Sequence, residues 1–298
     1  MHILPAIAAA TDEMETIFRD LHAHPELGFE ETRTSGIVAS KLAEYGVDEV
    51  HTGLGKTGVV ALIHGKSHGN RRVGLRADMD ALPIDEISGV PFSSQTPGTM
   101  HACGHDAHTT MLLGAAKHLA ETRDFDGTAV LIFQPAEEGL GGARQMMADG
   151  LFKTFPVDEI YGMHNSPNGK PGTFDICKGV AMAGAMFFDA HIRGLGSHAA
   201  MPQQSRDTVV IASTLVSQLQ TIVSRNVAPL DSCVMSVTQI HAGAAYNVVP
   251  ENAHIAGTVR YFREEVCNLA MQRMQAICDG IAAAYEVEIN LDMRNVFD

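Results

Sequence analysis

The chain has 298 residues, with 35 acidic and 21 basic side chains, so its formal net charge at pH 7 is −14. This charge argues against a nucleic-acid-binding or membrane-binding protein, because both ligands need clustered lysine and arginine. No apolar run reaches the roughly 18–20 residues that span a bilayer. The five cysteines are an odd number without regular spacing, which excludes a disulfide framework and favours a cytoplasmic protein. The length suits one large or two medium domains.

The first part of the chain alternates helices and strands. The patterns predict, in order, helices over 11–23 and 32–45, strands over 57–65 and 71–79, a helix over 106–121, and strands over 127–135 and 157–165. Several of these strands are almost continuously apolar. This is typical of an α/β domain whose sheet is covered on both faces.

The pattern changes near residue 180. The following segments predict strand 185–194, helix 206–224, strands 232–240 and 252–262, helix 264–285 and strand 287–293. The order β-α-β-β-α-β is that of the ferredoxin-like unit. We therefore predict two domains, a catalytic α/β domain over 1–180 and a smaller ferredoxin-like domain over 181–298.

The segment MHACGHDAH, residues 100–108, concentrates metal-ligating residue types. In an extended stretch, residues two apart face the same side, so His101, Cys103 and His105 project together. A thiolate and imidazoles suit Zn²⁺, Co²⁺, Mn²⁺ or Ni²⁺ better than Mg²⁺. The alternative is a histidine-rich loop with a buried thiol, but three histidines and one cysteine favour a metal site.

Acidic residues and a further histidine follow other predicted strands. Glu137 and Glu138 follow strand 127–135, and His164 lies at the end of the segment 157–165, just past its apolar residues. Asp78 lies at the end of strand 71–79, and Asp80 directly follows it. Open α/β sheets bind ligands at the carboxyl ends of their strands, so one glutamate is a candidate metal ligand and the other a general base. The aspartates are candidates for orienting a ligand histidine. Alternatively, the two glutamates mark the solvated start of a helix, the histidine is a capping or loop residue, and the aspartates cap a turn.

Several motifs together resemble the M20 metallopeptidase and amidohydrolase family. They are HPELGFEE, GLRADMDALPI, MHACGHDAHTTMLLGAA, FQPAEEGLGGA, GMHN, GLGSHAAMP and NVVPENAHIAGTVR. The likeness is greatest to hippurate hydrolases, N-acyl-amino-acid aminoacylases and auxin-conjugate hydrolases. It implies a mixed-sheet α/β/α metallohydrolase domain with an inserted ferredoxin-like lid or dimerisation domain, and hence a homodimer.

The resemblance also implies the roles of individual residues. It implies that Cys103, His105, Glu138 and His164 hold two divalent metal ions (Zn, Mn, Co or Ni), and it leaves His101 without a role. It implies that a metal-bound hydroxide attacks the amide and that Glu137 is the general base. His198 lies in the glycine-flanked turn GLGSHAAMP, from which an imidazole can donate to an oxyanion. In similar enzymes the corresponding histidine reaches the active site of the partner subunit. The resemblance also implies that Asn247 and Arg260 bind a substrate carboxylate. The alternatives for these last two are a turn asparagine and an exposed strand arginine.

The resemblance stops at RNVFD, where this sequence ends. Family members continue and return to the catalytic sheet with a late histidine ligand, whereas the last histidine here is His254. We therefore expect a catalytic domain that is incomplete at its C-terminal part, with an exposed apolar face. Three explanations of this ending are possible: the sequence is a fragment, it is a natural truncation, or another polypeptide completes the domain.

The sequence leaves three candidate functions. The first is metal-dependent hydrolysis of N-acyl amino acids by an amidohydrolase. The second is a dipeptidase or carboxypeptidase on the same scaffold. The third is a truncated, inactive dimer that still binds metal.

Overall fold

The computed structural model describes residues 3–297. Contacts between Cα atoms divide the chain into two compact units, Met1–Phe174 and Asp175–Asp298. The predicted boundary at residue 180 lies a few residues farther along the chain. Within residues 3–297, no helix is both long enough and apolar enough to cross a membrane.

The first unit is built on a five-stranded mixed sheet. Its elements are α1 (Pro5–Ala9), α2 (Thr11–Ala23), α3 (Thr32–Glu44), β1 (Glu49–Leu54), β2 (Gly58–His64), β3 (Ser67–Asp78), α4 (His105–Thr122), β4 (Asp126–Gln134), α5 (Gly142–Ala148), α6 (Leu151–Thr154) and β5 (Glu159–Gly162). The strand order is β1-β2-β4-β3-β5. β3 runs parallel to β4 and β5, whereas β2 is antiparallel to β1 and β4.

Both faces of this sheet are covered at its centre, because alternate residues of β2 and β4 enter two separate cores. Val59, Ala61 and Ile63 of β2 belong to the core that contains residues of α2, α3 and α4. Val60 and Leu62 belong to the core that contains residues of α5 and α6. This arrangement confirms the predicted α/β/α domain. The edge strand β5 is less covered, with Tyr161 56% exposed.

The second unit has the predicted βαββαβ order. Its elements are β6 (Gly184–Arg193), β7 (Ser197–His198), α7 (Thr208–Thr221), β8 (Cys233–Ala242), β9 (Val248–Val249), β10 (Asn252–Tyr261), α8 (Glu264–Tyr285) and β11 (Glu288–Phe297). Four strands form an antiparallel sheet in the order β11-β6-β10-β8, and β7 pairs with β9. Residues of α7 and α8 join one face of the larger sheet in a single core. The ferredoxin-like prediction is confirmed.

Candidate metal centre

Each of the three parallel strands of the first sheet is followed by a candidate site residue at its carboxyl end. Asp80 follows β3, Glu137 follows β4 and His164 follows β5. Because these three strands are parallel neighbours, their carboxyl ends lie side by side. His105 opens α4. The fold thus gathers residues that lie far apart in the sequence.

The four predicted ligands meet around His105. One ligand atom from each of Cys103, His105 and His164 lies within 4.8 Å of the others, and the same holds for His105, Glu137 and Glu138. Cys103 Sγ lies 3.3 Å from His164 Nε2. His105 Nε2 lies 3.9 Å from Glu138 Oε1 and 4.0 Å from Glu137 Oε2.

Two atoms of this cluster suggest that a cation belongs here. His105 Nε2 and Glu138 Oε1 are buried, and neither has a hydrogen-bond partner among the described residues. Buried polar atoms are nearly always hydrogen-bonded, so an imidazole nitrogen and a carboxylate oxygen left open side by side need a shared partner. With the adjacent thiol and second imidazole, they form a donor set that fits a divalent transition metal.

Asp80 orients both His105 and Glu138. Its Oδ1 lies 3.2 Å from His105 Nδ1, and its Oδ2 accepts a 2.9 Å hydrogen bond from the backbone N–H of Glu138. A carboxylate beside Nδ1 holds the proton there, which leaves the lone pair of Nε2 directed into the cluster. Asp80 therefore lies where the sequence predicted an orienting residue.

Asp78 anchors a second buried histidine. Its Oδ1 accepts a 2.6 Å hydrogen bond from His108 Nδ1, and Arg76 donates to its Oδ2 at 2.7 Å. Burial raises the pKa of Asp78, but the bond from His108 and the charge of Arg76 outweigh it and lower the pKa to about 2. His108 Nε2 in turn accepts from the backbone N–H of Asn165 at 3.0 Å, next to His164.

Sequence reasoning assigned no role to His108 or Asn165. The signal for His108 was its position three residues after His105, which places both on one helix face. Asn165 carried no comparable signal, because its contact with His108 spans 57 residues.

Glu31 was also missed, although it lies in the HPELGFEE motif. This side chain is fully buried. Its Oε1 accepts from the backbone N–H of Ala136 at 2.7 Å, and its Oε2 accepts from Thr57 Oγ1 at 2.5 Å. Ala136 precedes Glu137 and has a φ of 50°, a left-handed conformation that L-residues avoid. Glu31 thus fixes a strained point in the loop that carries both glutamates.

The cluster carries excess negative charge. Burial and the Glu138 carboxylate raise the pKa of the Cys103 thiol to about 12. Burial and Glu138 also raise the pKa of Glu137. A divalent cation would favour the ionised form of every one of these groups, since opposite charge lowers the pKa of an acid.

His101 lies outside the ligand groups of the described residues. It is buried, and both of its ring nitrogens lack a hydrogen-bond partner in the described part of the chain. Burial lowers its pKa to about 4, which keeps the ring neutral at pH 7.

Two of the three candidates in the second unit are neighbours. His198 lies on β7 and Asn247 immediately precedes β9, and the backbone carbonyl of Asn247 accepts from the N–H of Ala199 at 3.0 Å. The Nδ1 atom of the exposed His198 accepts from the backbone N–H of Ala200 at 3.1 Å. The ring proton therefore lies on Nε2. Arg260 lies on β10, with its guanidinium 5.8 Å from the centre of the Phe187 ring.

The family is decided by comparison with known proteins. The model of peptidase family M20/M25/M40 matches residues 74–291. The chain belongs to this family. It is 44% identical to the hippurate hydrolase of Campylobacter jejuni over 296 residues, which cover 99% of this chain and 76% of that protein. It is 42% identical to an N-acetylcysteine deacetylase of Bacillus subtilis over 268 residues, which cover 90% of this chain and 70% of that protein.

A solved structure supports the same assignment. A Bacillus subtilis protein described as a dinuclear metal-binding peptidase of the M20 family superimposes with a TM-score of 0.79 at 35% identity, covering 97% of this chain and 75% of that one. The predictions of an M20 member and of an amidohydrolase are confirmed. The predicted metal site agrees with the ligand groups that the structure brings together.

Proposed function

We propose that this chain hydrolyses the amide bond of N-acyl amino acids of the hippurate type, releasing a carboxylic acid and an amino acid. The observation that carries the proposal is the buried, unpartnered pair of His105 Nε2 and Glu138 Oε1 beside Cys103 and His164. The similarity to a hippurate hydrolase and a deacetylase of an N-acetyl amino acid supports the substrate class.

The four ligand candidates would hold two divalent ions, of zinc, manganese, cobalt or nickel. Ions bound there would lower the pKa of a water molecule and polarise the amide carbonyl. Glu137 is the general base: it takes the proton from the attacking water and passes it to the leaving nitrogen. Its side chain is 30% exposed, so that substrate and water have access to the carboxylate.

The second unit supplies the substrate contacts in this proposal. The forked guanidinium of Arg260 and the amide of Asn247 suit a free carboxylate. His198 carries its proton on Nε2, which makes that atom a donor for a developing oxyanion. We also propose a cytoplasmic homodimer that forms through the second unit.

The test compares two adjacent glutamates in the metal-loaded chain. Because Glu137 moves the proton and Glu138 holds metal, Glu137→Gln is expected to lower kcat for hippurate about 10²- to 10⁴-fold while metal content stays unchanged. Glu138→Gln is expected to lower metal content as well. The measurements are ninhydrin detection of released glycine and metal analysis of the dialysed protein.

The exposed Glu121 on α4 provides the matched control, since Glu121→Gln changes the same charge outside the cluster. Full activity of Glu137→Gln would contradict its role as the base. Turnover of a dipeptide panel but not of hippurate would transfer the assignment to the dipeptidase class. A folded, metal-loaded wild-type chain without turnover of either substrate would favour the inactive dimer.

A further inference from the structure

A row of three histidines crosses the sheet of the second unit. The strand registers place His254 of β10 directly opposite His191 of β6 on one side and His241 of β8 on the other. The His254 and His191 rings stack with centroids 4.6 Å apart at 12°, and the His241 ring lies 6.0 Å from His254 at 10°. The three imidazoles therefore share one face of three hydrogen-bonded strands.

This face is the open side of the sheet. The neighbours of His191 along β6, Ala190 and Ile192, point to the opposite side and belong to the core that includes residues of α7 and α8. His191 and His241 are exposed and His254 is half-buried. The row borders a shallow cavity of about 450 Å³, so solutes have access to the ring nitrogens.

Asp189 fixes the orientation of the central ring. Its Oδ1 lies 2.7 Å from His254 Nε2. One donor atom each of Asp189, His191 and His254 lies within 4.8 Å of the others. A carboxylate that accepts from one ring nitrogen holds the proton there and leaves the lone pair of the other nitrogen free, as in the carboxylate–histidine–metal arrangements of metalloproteins. His254 Nδ1 is then available as a ligand.

The surrounding charge also favours a cation. Two arginines border the row, but each is paired: Arg193 lies 3.6 Å from Glu251 and opposite Glu288, and Arg294 contacts both Asp189 and Asp292. Four carboxylates therefore lie near two guanidinium groups. The net charge around the row is negative, which favours the binding of a cation.

We propose that His191 and His254 bind one divalent late first-row metal ion, with Asp189 as the residue that positions His254. His241 lies on the other side of the His254 ring and is not part of this ligand group. Imidazole nitrogens suit Zn²⁺, Ni²⁺ and Cu²⁺. This site is separate in residues from the Cys103 cluster of the first unit, and it does not depend on the proposed hydrolase activity. Bound metal would link β6 and β10, the two strands that carry His191 and His254.

The experiment counts Zn²⁺ bound to the full chain. Metal-stripped protein is dialysed against micromolar Zn²⁺ and analysed by mass spectrometry, with circular dichroism to confirm folding. His191→Ala is expected to lose one equivalent relative to the wild type. His64→Ala, which removes an exposed strand histidine in the first unit, is expected to lose none. The same one-equivalent loss is expected when His191→Ala is added to Cys103→Ala.

A second pair of variants tests the positioning role. Asp189→Asn is expected to weaken Zn²⁺ binding at this site about 10- to 100-fold. Asp292→Asn removes the other carboxylate of the Arg294 pair without touching His254, and it is expected to leave the affinity unchanged. An unchanged metal count in His191→Ala, or an equal effect of Asp189→Asn and Asp292→Asn, would overturn the proposal.

Discussion

Glu31 holds the loop that carries Glu137 and Glu138, through its bond to the backbone of Ala136. Removing its carboxylate in Glu31→Ala leaves the buried N–H of Ala136 without a partner, at a cost of about 1–3 kcal/mol. We expect the strained loop to relax and the metal affinity of the Cys103 cluster to fall about 10- to 100-fold. Metal titration of the stripped protein measures this change.

Glu31→Gln separates positioning from general destabilisation. Its amide oxygen still accepts from Ala136, and its NH₂ group can donate to Thr57 Oγ1, so the metal affinity is expected to return to near the wild-type value. Burial raises the pKa of Glu31, so the protein interior already disfavours its charge, and a neutral amide suits the site. Equal loss of metal affinity in both variants would show that the loop does not depend on this bond.

The candidate site was predictable to the extent that its residues lie in dense local motifs. Cys103 and His105 stand two residues apart, and Glu137 and Glu138 directly follow an apolar strand. Glu31 was missed because its partner Ala136 lies 105 residues away. The histidine row was missed for the same reason, since cross-strand register joins His191 to His254 and sequence spacing does not.

At the scale of elements, Glu13 joins three helices of the first unit. From α2 it accepts hydrogen bonds from Lys117 of α4 and from Lys41 and Tyr45 at the end of α3. The bond from Lys117 is the main cause that lowers the pKa of Glu13 from 4.5 to about 2, against the opposing effect of burial. The ionised carboxylate is therefore favoured in the folded state.

A lowered folded-state pKa stabilises the fold above the unfolded-state pKa, and this contribution disappears as the pH falls toward the folded-state value. We expect Glu13→Gln to lower the free energy of unfolding by about 1 kcal/mol at pH 7, a modest value because the group is partly solvated. The difference from the wild type should shrink between pH 4.5 and pH 2. Urea denaturation across this range measures it.

The exposed pair of Glu15 and Arg19 on the same helix gives the control. Glu15→Gln is expected to change the free energy of unfolding by less than about 0.5 kcal/mol, because exposed ion pairs contribute little. An equal effect of the two substitutions at pH 7 would contradict a special role for Glu13.

The long elements were predictable because their periodicity is strong. The helix predicted over 11–23 matches α2, and the helix predicted over 264–285 matches α8. The strand β1 was missed because residues 49–54 are only partly buried and lack a regular apolar alternation. The short elements α5, α6, β7 and β9 were missed because tertiary contacts determine them more than local propensity does.

At the scale of the whole molecule, β8 leaves one edge of the second sheet unpaired within the described residues. Exposed edge strands with apolar side chains tend to pair with another chain, and charged residues on the edge prevent this. Val234 and Ile240 on β8 are 57% and 54% exposed. These features support the proposed homodimer, in which a second copy would extend the sheet across a two-fold axis.

The homodimer proposal predicts a mass of about twice 31.9 kDa in light scattering coupled to size-exclusion chromatography. Ile240→Lys is expected to shift the population toward the monomer, because a lysine at the interface would lose its hydration on pairing. Ile160→Lys is the matched control, since Ile160 is 47% exposed on the edge strand β5 of the other sheet. A monomeric wild type would exclude the homodimer. Equal dissociation by both substitutions would show that the interface does not depend on β8.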